Sequence, residues 1–376
     1  MIPFNIPAYA GNEKKYIARA IKNTVLSGNG SFGQACEDWF RNKTGSTAFL
    51  TPSGTASLEM AAILAGIQAG DEVIMPSFTH PSTANAFVLR GARIVFVDIR
   101  PDTMNIDEKL IEDAITPKTK ILMMMHYAGV GCEMDRIREI AIKHKLLLIE
   151  DAAMGIMAYY KDRMLGTLGD MSCFSFHETK NISCGEGGAL LFNNPDLVSK
   201  AEVVRDKGTD RQDFLRGKIP YYSWINPGSS FLLSELNAAY LFAQLEKAEV
   251  ITNKRKHLWS SYFDAFSDLN KKGLIKLPYV PDYCRQNGHL FYLKFQNKIQ
   301  RQDCIEYLKK HEIMAIFHYI PLHSSKAGRI YGKFHGNDKY TTIESEKILR
   351  LPLYFQMNFK QLQIVVDHIY RFLKQK

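Results

Sequence analysis

Three short stretches combine reactive side chains with the edges of apolar runs. Lys180 lies in Phe174-Ser-Phe-His-Glu-Thr-Lys180-Asn181, between a phenylalanine-rich run and the glycine-rich Cys184-Gly-Glu-Gly-Gly-Ala189. A lysine held there is expected to be partly desolvated, which lowers its pKa and makes its amine nucleophilic. Taken alone, a lysine is more often a solvated surface charge. Glu150 and Asp151 end the apolar run Leu147-Leu-Ile149. Burying an ionised carboxylate is costly unless it meets a cation, so Asp151 needs a positive partner or a protonated nitrogen, or else caps a helix. The third stretch, Thr51-Pro-Ser-Gly-Thr-Ala-Ser57, follows Ala48-Phe-Leu50 and opens a helix. Free amides and the positive end of the helix dipole make such a turn a phosphate site, with an ordinary N-cap as the plainer reading. No Gly-Lys-Ser/Thr follows, which excludes a Walker loop. A phosphate cradle, a buried acid and a nucleophilic lysine are the set that pyridoxal 5'-phosphate requires.

Elements of a recognisable kind must carry these stretches. Glu72–Met75, Ile94–Val97, Lys120–Met124, Leu146–Ile149 and Ala189–Phe192 read as buried strands, being apolar and too short for helices. Ser57–Ala65, Ser82–Leu89, Asp107–Ala114 and Met134–His144 read as the helices between them. That alternation predicts an α/β fold with a mostly parallel central sheet covered by helices on both faces. A long helical segment is expected through Leu236–Arg255 and beyond, followed by a mixture of His289–Phe295, Gln302–Lys310, Ile313–Phe317 and Gln361–Leu373. The chain therefore divides into a large domain, 1–250, and a smaller C-terminal α+β domain, 251–376. Open α/β sheets bind ligands at the carboxyl ends of their strands, where all three reactive stretches fall.

Composition narrows the function classes. The chain has 376 residues, enough for two domains, and 46% hydrophobic with 23% charged residues is ordinary globular usage. Forty-eight Lys+Arg against 39 Asp+Glu give a net charge of +9. The lysines are spread over helices and the Lys374-Gln-Lys376 tail, with no stripe that would follow a polynucleotide, so no nucleic-acid partner is expected. The six cysteines have neither CxxC nor CxH spacing, which argues against a metal site and favours a reducing cytoplasm. No secretory signal pattern opens the chain, and the longest apolar runs are far below the ~20 residues of a membrane span, so no membrane insertion is expected.

The order Ser-Gly-Thr-Ala at 53–56, Glu-Asp-Ala-Ala at 150–153, and Ser-Phe-His-x-x-Lys-Asn with Gly-Glu-Gly-Gly at 175–188 resembles the fold type I sugar-nucleotide aminotransferases of the DegT/StrS family, over essentially the whole chain. Longer strings, among them Val97-Asp-Ile-Arg-Pro-Asp-Thr-Met-Asn-Ile-Asp107, Ile316-Phe-His-Tyr-Ile-Pro-Leu-His323 and Leu349-Arg-Leu-Pro-Leu353, are similar to members that aminate dTDP-4-keto-6-deoxyglucose at C4 for surface polysaccharide. The resemblance implies that Lys180 is the Schiff-base lysine and proton shuttle, and that Asp151 pairs with the pyridinium nitrogen. It further implies that Gly54, Thr55 and Ser175 hold the phosphate, while His80 lies against the cofactor ring. For His80 a capping or core role stays equally open. His318, Tyr319 and His323 would contact the sugar or its diphosphate; for Tyr319 a packing role against the large domain stays equally open. L-Glutamate would be the amino donor, and the active form a homodimer with sites at the interface. The glucose epimer as product, another keto-sugar nucleotide as substrate, and a non-catalytic regulatory protein on the same fold are the alternatives.

The sequence also departs from the family pattern. Met154 stands where glutamine is common and a ring hydroxyl would be contacted, and a thioether is a weak acceptor. Thr79-His80-Pro81 replaces a threonine–aromatic–valine. Gly228–Ser234 lacks the usual Asn-Tyr-Arg, and Ser230 takes the place of an asparagine that reaches the partner subunit's phosphate. Arg205 and Lys207 are further diphosphate candidates, with surface solvation as the plainer role.

Overall fold

A computed structural model describes residues 1–374; Gln375 and Lys376 of the basic tail lie outside the described residues. The apolar runs form an eight-stranded sheet in the order Thr47–Thr51, Gly188–Phe192, Met171–Ser175, Leu147–Asp151, Thr119–Met125, Glu72–Pro76, Arg93–Val97, Gly332–Phe334. From Met171–Ser175 to Gly332–Phe334 all neighbours are parallel, whereas Gly188–Phe192 is antiparallel to both of its neighbours. Alternate strand residues serve opposite faces. Val73 and Met75 pack with Leu58, Ala61, Phe87 and Val204, while Ile74 packs with Leu122, Met124, Ile137 and Ile140 on the other side. The expected α/β architecture, a mixed but mostly parallel sheet between helix layers, is what forms.

Helices Gly54–Leu64, Pro81–Val88 and Met134–His144 match expectation within a few residues at their ends. Two expectations need correction. Asp107–Ala114 is not an α-helix but two short 3₁₀ turns, Glu108–Leu110 and Glu112–Ala114. Its buried residues Glu108, Ile111 and Ala114 recur every third position, which suits the 3₁₀ repeat. The long helical segment is two helices, Glu235–Leu245 and Ala248–Lys271, broken at Glu246-Lys247. Ile313–Phe317, expected as part of a strand-and-helix mixture, forms isolated bridges, Ile313 to Ile2 and Ile316 to Arg350.

The C-terminal part builds its own core on the antiparallel pair Phe291–Lys294 and Ile348–Leu351. Leu258, Phe266, Phe291, Val365 and Ile369 fill it, and Ile2 joins from the other end of the chain. Position 250 lies in the first turn of helix Ala248–Lys271. Gly332–Phe334 leaves this core to pair with Arg93–Val97 at the edge of the large sheet, tying the two parts together across the site.

Candidate active site

A cavity of about 1190 Å³ opens at the carboxyl ends of the parallel strands. Two residues, Pro52 and Ser53, turn strand Thr47–Thr51 into helix Gly54–Leu64. Ser53 accepts the amide of Ala56 at 3.0 Å on its side chain and that of Ser57 at 3.1 Å on its carbonyl. The first four amides of a helix lack intrahelical partners, so those of Gly54 and Thr55 remain for an anion. Only glycine fits at 54, because a Cβ would lie 2.7 Å from the Cβ of Ser175. Gly54, Thr55 and Ser175 all line the cavity, with the Thr55 hydroxyl 2.9 Å from that of Ser82.

Asp151 ends the strand next to Met171–Ser175 and is buried. Its Oδ2 accepts from Thr83 Oγ at 2.7 Å and its Oδ1 from the Ala153 amide at 3.1 Å. Thr83 sits in the first turn of helix Pro81–Val88, and its hydroxyl is also 2.9 Å from that of Thr79. The adjacent Glu150 faces the other way. It accepts from the amides of Gly166, Leu168 and Gly169 at 2.8, 2.6 and 2.6 Å and meets His126 at 2.8 Å. Burial raises its pKa, but His126 and the amides outweigh that and hold it below the usual carboxylate value. The paired acids thus have separate roles: Glu150 fastens a loop, and Asp151 faces the cavity.

Lys180 occupies a turn in the connection between Met171–Ser175 and Gly188–Phe192, its amide bonded to the His177 carbonyl at 2.9 Å. Desolvation lowers its pKa; Asp151 opposes the shift and Arg350 adds to it. The next residue, Asn181, donates to the Asn287 carbonyl at 3.0 Å and lies 3.1 Å from His289 Nδ1. Asn287 in turn donates to the carbonyls of Met154 and Ile156 at 2.8 and 2.7 Å. The lysine turn is therefore anchored to the segment leading into the small core.

His80 lines the cavity and also caps helix Pro81–Val88, accepting the Ser82 amide on Nδ1 at 3.2 Å. Desolvation, then the charge of Lys180, lowers its pKa. Met154 lines the cavity while its sulfur accepts the Ala128 amide at 3.3 Å. His318 and Tyr319 stack at 3.8 Å on the cavity wall, and His318 Nδ1 lies 2.8 Å from the Tyr127 hydroxyl. Burial, and then Arg350, push the His318 pKa well down.

His323 and Ser230 do not line this cavity. His323 Nδ1 bonds Ser77 Oγ at 2.7 Å and its Nε2 meets Asp338 at 3.2 Å, a latch between the two parts. Ser230 lies on an exposed loop and bridges to Asp206. Arg205 is neither a surface charge nor a cavity residue: it is buried, paired with Glu37 at 3.0 Å and set over the ring of Phe49. Lys207 pairs with Asp206 at 2.9 Å. Thr83, Arg255, His289 and Arg350 line the cavity without having been singled out from the sequence. Arg350 left a signal, a lone cation within the apolar alternation Ile348-Leu-Arg-Leu351.

Among the described residues no group of three or more His, Cys, Asp or Glu could hold a metal ion, and no helix is long and apolar enough to cross a membrane. What the cavity offers is a helix N-terminus with open amides, a fixed carboxylate and a desolvated amine. That set can hold a phosphate ester, a basic ring nitrogen and an aldehyde together.

Comparison with known proteins points the same way. Residues 7–370 match the model of the DegT/DnrJ/EryC1/StrS aminotransferase family. The chain is 32% identical to the spore coat polysaccharide biosynthesis protein SpsC of Bacillus subtilis, over 98% of this chain and 96% of that protein. It is 36% identical to the uncharacterized protein MJ1066 of Methanocaldococcus jannaschii, over 89% and 88%. Its fold superposes on Helicobacter pylori PseC, an aminotransferase involved in pseudoaminic acid biosynthesis, with a TM-score of 0.91 at 23% identity, covering all of both chains.

Proposed function

The chain belongs to the DegT/DnrJ/EryC1/StrS aminotransferase family and is a pyridoxal-phosphate-dependent aminotransferase, and from that premise we propose that it carries nitrogen from L-glutamate to C4 of dTDP-4-keto-6-deoxyglucose, giving dTDP-4-amino-4,6-dideoxygalactose for surface polysaccharide. The observation that carries the reading is the convergence of Lys180, Asp151 and the open amides of Gly54 and Thr55 on one cavity. A volume of about 1190 Å³ leaves room for a sugar nucleotide beside a cofactor.

The residues fit the cofactor. The amides of Gly54 and Thr55 with Ser175 would hold its phosphate, Asp151 would keep its ring nitrogen protonated, and the amine of Lys180 would meet its aldehyde. When bound, pyridoxal phosphate supplies an electron sink that lets the hydrogen on an amine-bearing carbon leave as a proton. Lys180 Nζ removes that proton from glutamate in one half-cycle and delivers a proton to C4 of the sugar in the other. Its lowered pKa leaves more of the amine free to take up the proton, and the ammonium so formed is the acid that gives one back. Thr83 and the Ala153 amide hold Asp151 in place through both halves. His80, Met154, His318 and Tyr319 line the cavity and would orient the ring and the hexose.

The test is incubation of the purified protein with dTDP-4-keto-6-deoxyglucose and L-glutamate, with NMR of the product. An axial amine at C4 is the expected result. An equatorial amine assigns the glucose epimer instead, and absence of turnover with this sugar refutes the substrate.

A further inference from the structure

His289 lines the cavity two residues before strand Phe291–Lys294, and the chemistry of Lys180 and Asp151 makes no use of its ring. Its hydrogen bonds fix its tautomer. Asn181 donates through Nδ2 to the Asn287 carbonyl at 3.0 Å. A carbonyl only accepts, so the orientation of the Asn181 amide is set, and its Oδ1 is the atom 3.1 Å from His289 Nδ1. An amide oxygen likewise only accepts. The proton of the neutral ring therefore sits on Nδ1, and Nε2 keeps a bare lone pair. Desolvation, then the charge of Lys180, holds the pKa of His289 well below its ordinary value, so the ring stays neutral. Among the described residues Nε2 has no hydrogen-bond partner, and with Nδ1 taken by Asn181 it is the polar atom that the ring offers to the cavity. The ring is also held in place. Its backbone amide donates to Asn287 Oδ1 at 3.0 Å, and its carbonyl accepts from Arg255 Nη2 at 2.7 Å. Through Asn181, the residue that follows Lys180, this acceptor is tied to the turn that carries the reacting amine.

A fixed acceptor calls for a ligand that donates, and the chemistry of the two substrates decides which one can. Glutamate brings two carboxylates, which accept and cannot donate, and its amine is the group transferred. A hexose brings hydroxyls, each with a proton to give. In a 4-keto-6-deoxyhexose only the C3 hydroxyl stands next to the keto carbon, since C5 bears the methyl group and the ring oxygen. We propose that Nε2 of His289 accepts a hydrogen bond from the C3 hydroxyl of the keto-sugar, beside the carbon that meets Lys180. That assignment rests on the keto-sugar reading and makes His289 the residue that tells a 3-hydroxy sugar from a 3-deoxy one. A site built to take a hydroxyl rejects the analogue that lacks it, because its acceptor is then left desolvated and unpaired.

The experiment compares dTDP-4-keto-6-deoxyglucose with its 3-deoxy analogue in the holoenzyme, for the wild type, His289→Asn and His289→Gln. Asparagine keeps a donor for Asn181 but ends short of the Nε2 position, whereas glutamine reaches it with an acceptor. The wild type should favour the 3-hydroxy sugar on the order of 10- to 100-fold in kcat/KM, the scale of one unpaired buried acceptor. His289→Asn should reduce that preference to within about twofold, and His289→Gln should restore part of it. The half-reaction with L-glutamate, followed by cofactor absorbance, should change less than about twofold in either variant. Proton–nitrogen correlation NMR of the histidine-labelled apoprotein, with His289→Asn to identify the signal, should show Nε2 unprotonated. A proton on Nε2 would overturn the inference. So would equal losses in both half-reactions, which would give the ring to Lys180 or to the fold. A preference that survives His289→Asn undiminished assigns the C3 hydroxyl to another residue, with the same consequence. A wild type that aminates both sugars equally well sinks the inference alone. A wild type that aminates neither at C4 refutes the substrate and takes the inference with it.

Discussion

At the scale of residues, reactivity here is set by what surrounds each group. Lys180 would be an ordinary cation in water; desolvation in the cavity wall depresses its pKa although Asp151 pulls the other way. Lys180→Ala should therefore abolish both the near-visible absorbance of the lysine-bound cofactor and transamination, and an absorbing, active variant would remove Lys180 from the chemistry. Asp151 in turn depends on Thr83, whose hydroxyl lies 2.7 Å from Oδ2. Thr83→Val keeps the shape but deletes this donor, at a cost of about 1–2 kcal/mol. Turnover should fall about 5- to 30-fold, with Thr83→Ser restoring most of it. Rescue by serine separates a hydroxyl acting on Asp151 from loss of helix packing. Parts of this arrangement were legible in the sequence and parts were not. Asp151, Lys180 and the 51–57 turn announced themselves because polar groups interrupt apolar runs at strand ends. Thr83 and His289 did not, since a threonine in a helix and a histidine before a strand are common, and only tertiary packing brings them to the cavity. The family resemblance offers His323 as a substrate contact; in the structure its ring bonds Ser77 and meets Asp338.

At the scale of elements, the strands were the most legible, because a buried parallel strand must be apolar on both faces. Helices were less so: residues 107–114 carry an N-cap and helical-looking apolar residues, but their three-residue burial repeat yields 3₁₀ turns. The loop after strand Leu147–Asp151 is fastened by Glu150, whose carboxylate serves three amides and His126. Glu150→Ala should cost about 3–5 kcal/mol of stability, the usual penalty for breaking a buried cluster and leaving its partners unpaired. Thermal unfolding would register it, and an unchanged midpoint would refute the role. The pH dependence has a definite sign. Because the folded pKa of Glu150 lies below its ordinary value of 4.5, its stabilisation is present above that value and is lost as pH falls through the folded pKa. Stability measured between about pH 5 and pH 3 should thus drop more steeply in the wild type than in Glu150→Gln.

At the scale of the whole molecule, the cavity lies between two bodies, and the chain knits them together by sending Gly332–Phe334 to the large sheet and Ile2 to the small core. The excess of +9 forms no stripe along the sequence, while Lys180, Arg255 and Arg350 all line the cavity. One surface remains to be covered. The segment from Phe214 to Ile225 exposes Phe214, Leu215, Tyr221, Tyr222, Trp224 and Ile225, an apolar run of the kind that monomers seldom leave open. Ser230 follows on the same stretch, away from the cavity of its own chain. A homodimer in which this segment meets a second copy accounts for both features, by burying the apolar side chains and carrying Ser230 toward the partner's site. Gel filtration of the wild type should then give twice the chain mass. Trp224→Asp combined with Ile225→Asp should shift the protein toward the monomer and lower turnover at least tenfold, since one charge buried at an interface already costs several kcal/mol. Helical content by circular dichroism should stay unchanged, because neither side chain belongs to a core. A wild type that elutes at the monomer mass with full turnover at high dilution would show that each chain completes its own site, and would leave the exposed segment to some other contact.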